Sequence, residues 1–207
     1  MRRIIVAEHL TLDGVLQSPG RAEEDTRGGF DHGGWAAPRA DPTGGESLRK
    51  ALAGATGFLL GRRTYEDFAG FWPKQTDGNP FTKALNDGQK YVASRTLTEP
   101  LPWQNSTLLP GDAADAVADL KDQEAGDLAV FGSSELVRSL MHRELIDEYV
   151  LMIHPLVLGS GRRLFTDGVP CSNLRLIDSV TSPSGVVIAT YQPATATCRR
   201  PTTGGHP

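Results

Sequence analysis

Residues 57–68 read Gly57-Phe58-Leu59-Leu60-Gly61-Arg62-Arg63-Thr64-Tyr65-Glu66-Asp67-Phe68, and two periods meet inside them. The first five form a short apolar run closed by glycine, the pattern of a strand buried on both faces. From Thr64 the spacing becomes that of a helix, so a strand hands the chain directly to a helix. The same handover recurs downstream. Lys90 to Ser94 and Ser106 to Leu109 predict strands and Asp112 to Gln123 a helix, after which Leu128 to Phe131 passes through Gly132-Ser133-Ser134 into a helix reaching Met141. Upstream, Arg3 to Ala7 predicts the first strand and Glu46 to Ala55 a helix. Such alternation predicts an α/β fold of three layers, a mostly parallel central sheet with helices on both faces.

The last elements break the alternation. Glu148 to His154 predicts a strand, and Leu174 to Val180 with Val186 to Tyr191, joined through Ser182-Pro183-Ser184-Gly185, predict a C-terminal antiparallel hairpin. One domain is expected over residues 1–192, followed by a disordered tail over 193–207 rich in Thr, Arg, Gly and Pro. Between the first strand and the first helix, Gln17 to Gly45 holds too many glycines and prolines for regular structure. Loops of that length serve as lids or binding loops, and Phe30 and Trp35 give this one an apolar side with which to cover something.

Of the 207 residues 39% are hydrophobic and 22% charged, the balance of a folded globule. A net charge of −4 lacks the basic excess that a phosphate backbone demands, which argues against nucleic acid as a partner. Glu8 and His9 end the N-terminal apolar run too early for a signal peptide, and no run approaches the ~20 residues of a membrane span, so a cytoplasmic protein without membrane contact is expected. Cys171 and Cys198 fit no metal-ligand spacing, and a reducing cytosol argues against a disulfide between them. His9, His32, His142 and His154 likewise show no ligand spacing, so no metal is expected.

Three strand ends lead into residues suited to phosphate. Gly61-Arg62-Arg63-Thr64 combines a glycine that lets backbone approach a ligand, two cations and a helix N-terminus. Gly132-Ser133-Ser134 offers amides and hydroxyls at a second junction, and Ser94-Arg95-Thr96 places an arginine where a monoester phosphate can be bound. Each alone would also fit a plain turn, cap or surface salt bridge.

Together with Leu12-Asp13-Gly14-Val15, Phe71-Trp72-Pro73, Tyr91 to Leu97, Val130 to Leu136 and Pro155 to Gly161 ending in Leu164-Phe165, these segments follow a familiar order. The chain resembles the dihydrofolate-reductase-like superfamily, in its branch similar to the riboflavin-biosynthesis reductase domain. The resemblance implies NADPH across the carboxyl ends of the strands. It implies that Gly61, Arg62, Arg63, Thr64, Gly132, Ser133 and Ser134 hold the pyrophosphate region, that Ser94, Arg95 and Thr96 read the 2′-phosphate, and that Ala7, Asp13, Gly14, Val15 and Leu16 lie by the nicotinamide. It further implies a homodimer, paired through the late strands, with Ile146 to Leu158 supplying the apolar surface.

The resemblance is incomplete at the acid. Glu46, at the expected start of the first helix, and Asp31, in the loop between Phe30 and His32, are the candidate proton donors, and an exposed acid would read the same in either place. Phe30, Trp35 and Trp72 are candidates to stack on a planar substrate, or to pack in the core. The expected activity is hydride transfer from NADPH to a carbonyl or C=N group of a small planar heterocycle, pteridine-like or aminopyrimidine-like. Authentic dihydrofolate reduction, and ligand binding without turnover, are the alternatives.

Overall fold

The computed structural model describes residues 1–194. Of the expected tail over 193–207, Pro193 closes the last strand, and residues 195–207, with Cys198, lie outside the described residues. Eight strands form one sheet in the order β4-β3-β2-β5-β1-β6-β8-β7. They are β1 (Ile4–Thr11), β2 (Ala55–Gly61), β3 (Gln89–Ala93), β4 (Ser106–Leu108), β5 (Asp127–Val130), β6 (Glu148–His154), β7 (Leu174–Thr181) and β8 (Val187–Pro193). Every pairing from β4 to β6 is parallel, and β6-β8-β7 is antiparallel.

Five helices cover the two faces. On one, α4 (Ala113–Lys121) and α5 (Ser134–His142) pack through Ala114, Val117, Val137 and Leu140 onto Ile4, Val6 and Leu128. On the other, α1 (Pro42–Ala51), α2 (Arg62–Phe71) and α3 (Pro80–Asp87) bring Leu48, Tyr65 and Leu85 against Ile5, Phe58 and Ile188. Alternate residues of β1 therefore feed opposite layers, as its pleat requires.

Several boundaries depart from expectation. β1 runs four residues past Ala7 because β6 pairs with it as far as Thr11 opposite His154. α1 starts earlier than Glu46: Asp41 caps it by accepting the Gly44 amide at 3.1 Å, Pro42 takes the first turn, and Gly44 and Gly45 lie inside the helix. α3 went unread, although Asn79-Pro80 is the same cap-and-proline signal, with Asn79 accepting the Phe81 amide at 2.9 Å. β6 is not an exposed apolar strand, since β1 and β8 flank it; the exposed apolar residues Leu176, Ile177 and Val180 are on β7, at the sheet edge.

The long loop is ordered by its second half. Phe30 and Trp35 are buried with Val15, and the Trp35 indole donates to the Gln17 carbonyl at 2.7 Å. Gly161 makes this packing possible: at φ 115° a Cβ there would lie 2.7 Å from Val15 and 2.8 Å from Phe30.

Candidate active site

The register of the sheet sets the site. Leu59 lies opposite both Tyr91 and Val130, and Val92 opposite Leu108, so β4, β3, β2 and β5 end nearly level, while β1, paired at Val6 with Val130, runs on to Thr11. Beyond those ends opens a cavity of about 1000 Å³, at the large end for small-molecule sites. Its floor runs from Ser94, Arg95 and Thr96 after β3, through Gly61 to Thr64 after β2 and Gly132 to Ser134 after β5, to Ala7, Glu8 and His9 on β1. One wall is the first half of the long loop, including Gln17 and Glu24, and Leu16 and Arg162 also face the space.

Two helices begin on this floor, and they are capped differently from the rest. Asp41, Asn79 and Asp112 each cap a helix with a side-chain oxygen. α2 and α5 have no side-chain cap. Their first-turn amides thus add two concentrations of positive partial charge to a cavity that also holds Arg62, Arg63 and Arg95. The two junctions are locked together: the Gly61 amide donates to Ser133 Oγ at 2.8 Å, and the Ser133 amide donates to Thr64 Oγ1 at 3.1 Å. Gly132 turns with φ 54°, and a Cβ there would meet Thr64 Oγ1 at 3.0 Å. Ser94 Oγ accepts the Thr96 and Leu97 amides at 3.1 and 3.0 Å, a turn that leaves Arg95 exposed at its tip.

The remaining residues singled out from sequence are elsewhere. Asp13, Gly14 and Val15 do not line the cavity. Asp13 accepts the Thr11 hydroxyl at 2.6 Å, the Leu158 and Gly159 amides at 3.2 and 2.9 Å, and Arg163, and the Thr11 bond above all holds its carboxyl well below the usual range. It anchors the turn beneath the loop. Glu46 faces solvent on α1, paired with Arg49 at 2.6 Å, because the earlier start of the helix turns it away from the sheet. Asp31 is 84% exposed beside His32. Trp72 packs among Phe68, Phe71 and Phe81, with ring centroids 5.1 to 6.0 Å apart, so none of the three candidate stacking rings reaches the cavity.

Two ionisable residues of β1, Glu8 and His9, line the cavity. Glu8 is buried at the cavity, its pKa pushed well up by desolvation; the Gly132 amide opposes the shift and Glu24 adds to it. His9 Nδ1 and His154 Nε2 lie 2.8 Å apart, and Trp35 meets His154 edge-on. Burial, with each ring's charged surroundings second, lowers both imidazoles to about 4 and leaves them neutral at pH 7.

Residues 2–188 match the model of the RibD C-terminal domain. The chain belongs to that family. The uncharacterized protein YyaP of Bacillus subtilis (strain 168) is 31% identical over 194 residues, 92% of this chain and 94% of that one. Among solved structures, a pyrimidine reductase-like protein of Corynebacterium diphtheriae superposes with a TM-score of 0.60 at 12% identity, over 94% of this chain and 93% of the other. Dihydrofolate reductase of Enterococcus faecalis, complexed with NADP(H), gives 0.57 at 12% identity over 92% and 96%. The dihydrofolate-reductase-like fold is therefore the fold of this family member. Among the described residues no helix is long and apolar enough to cross a membrane.

Proposed function

We propose that the cavity binds NADPH and that the protein transfers its hydride to a carbonyl or C=N group of a small planar heterocycle, pteridine-like or aminopyrimidine-like. The observation that carries this reading is the pair of uncapped helix N-termini, α2 and α5, opening on one cavity beside Arg62, Arg63 and Arg95. A pyrophosphate bridging them would satisfy amides that side chains satisfy in the other helices. The floor also has the right span, because β3 and β1 are three strand spacings apart, about 14 Å. Phosphate-suited groups occupy the β3, β2 and β5 ends, and the β1 end offers Ala7, Glu8 and Leu16 to a less charged ring. In this reading Arg95 takes the 2′-phosphate, and bound cofactor supplies the hydride.

The test is selectivity. Arg95→Ala should weaken NADPH binding about tenfold to a hundredfold, the worth of roughly 1.5 to 3 kcal/mol for a hydrogen bond to a charged group, and should leave NADH binding nearly unchanged. Equal losses for both cofactors by titration calorimetry would remove the 2′-phosphate assignment, and no binding of either by the wild type would remove the function.

We also propose a homodimer, built on β7 rather than β6. Leu176, Ile177 and Val180 with Val187 of β8 expose apolar surface at the open edge of the sheet, and a symmetric second copy would cover it. Light scattering at micromolar concentration should give twice the chain mass; a monomer mass ends the idea.

A further inference from the structure

On β1, Ile4, Val6 and Leu10 all feed the core beneath α4 and α5. The strand's alternation puts Glu8 on the same face, where it is 4% exposed. A carboxyl in a core register needs partners, and Glu8 is short of them. The Gly132 amide is directed at the group, but Oε1 has no hydrogen-bond partner. The charge that reaches it is Glu24, of the same sign.

The cations at this end of the cavity are engaged elsewhere. Arg27 is paired with Asp25, and Arg162 lies 3.8 Å from Glu135. Glu23, from the loop, adds a further acid to the lining. Ionising Glu8 would leave a buried charge without a counter-charge, so the group stays a neutral acid. The proton belongs on Oε1, the oxygen left without a partner.

The other ionisable groups nearby are less suited to give a proton. His9 is held neutral at pH 7 and engaged with His154. Glu24 has Oε2 committed to the Gly20 and Arg21 amides at 2.8 and 3.0 Å, where it braces the loop.

We infer that Glu8 is the proton donor of the reductase reaction: Oε1–H donates a hydrogen bond to the carbonyl oxygen or imine nitrogen of the substrate and passes its proton there. The inference rests on the function proposed above. A C–H bond forms at the substrate carbon with the electron pair of the hydride, the C=O or C=N π pair becomes a lone pair on the heteroatom, and that atom takes the Glu8 proton. The dihydronicotinamide is oxidised, the substrate gains two electrons, and the Glu8 carboxylate recovers a proton from solvent. The bare carboxylate is the high-energy form of the side chain, so reprotonation is favourable.

The experiment uses the full chain labelled with ¹³C-carboxyl glutamate, titrated by NMR from about pH 4 to 9, the resonance missing from Glu8→Gln being that of Glu8. Glu8 should remain protonated at pH 7 both free and saturated with NADPH, and Glu8→Gln is compared with wild type at NADPH concentrations that saturate each protein. With dihydrofolate as the C=N probe, single-turnover oxidation of NADPH should fall about 10²- to 10⁴-fold in Glu8→Gln. The acid works only when protonated, so the wild-type rate should fall as pH rises through the Glu8 pKa, and the variant should lack that limb. An ionised Glu8 at pH 7 in a protein that binds NADPH overturns the role, as do equal single-turnover rates. Failure of the wild type to bind NADPH overturns the reductase reading itself. If NADPH binds and dihydrofolate is not reduced, the titration alone decides for or against Glu8.

Discussion

The parallel strands are finished in opposite ways at their two ends. At the amino ends Arg2 Nε donates to the Gly126 carbonyl at 2.7 Å, and Arg3 forks onto Asp127 at 3.0 and 2.6 Å. Asp147 takes the Ile4 amide at 2.8 Å and the Lys121 ammonium, which also reaches the Leu145 carbonyl at 2.9 Å. These groups tie strand to strand and helix to strand. At the carboxyl ends Glu8 Oε1 is orphaned, α2 and α5 lack side-chain caps, and Arg63 and Arg95 have no ion-pair partner among the described residues. Satisfied groups at one end stabilise the fold; unsatisfied groups at the other cost stability that a ligand can restore.

Removing a partner from the closed end should cost the most stability. Asp127 accepts the Arg3 amide at 3.1 Å as well as its guanidinium, so Asp127→Ala strands a backbone donor along with a charge. A loss of about 2 kcal/mol is expected, kept modest because Arg3 is half exposed. Urea melts should show it, and the NADPH dissociation constant should stay within about twofold of wild type. A variant as stable as wild type, or one that loses cofactor, would mean that the two ends do not divide folding from binding. Arg95→Ala is the mirror case, with binding lost and stability kept.

The parts of this division that are local were legible in the sequence. Gly61-Arg62-Arg63-Thr64 and Gly132-Ser133-Ser134 sit at strand-to-helix junctions, where a change of period announces the turn, and the order of junctions around a parallel sheet brings them to one edge. Glu46 was misplaced by a local error, since the Asp41-Pro42 cap signal moves the helix start and turns the side chain outward. Glu8 ends the N-terminal apolar run, but Ile4, Val6 and Leu10 at even positions put its carboxyl in the core register between them. The His9–His154 pair had no local signal. It depends on the register of β1 against β6, strands that lie far apart in sequence. Phe30 and Trp35 were recognised as cover, but what they cover is the Val15 turn and His154, and the cavity wall is the other half of the loop.

That wall is held by an ion pair that crosses the open end. Arg21 Nη2 bonds both Asp67 oxygens at 2.5 and 2.7 Å, and its guanidinium stacks 4.1 Å from the Phe71 ring centroid, pinning the loop to α2. If the open end is reserved for ligand, this pair holds the wall in place and contributes little to the global fold. Both side chains are partly exposed, so Asp67→Asn should cost about 1 kcal/mol, felt as local opening. Trypsin cleaves after arginine, and Arg21 and Arg27 both lie in this segment. Cleavage there should run about fivefold faster in Asp67→Asn, the ratio that 1 kcal/mol sets when opening is fast relative to cutting. Saturating NADPH should slow cleavage in both proteins by filling the space behind the wall, while the urea midpoint should move less than half as far as in Asp127→Ala. Equal cleavage rates would show that Phe30 and Trp35 alone hold the loop, and a midpoint shift as large as that of Asp127→Ala would show that the carboxyl end is also built for stability.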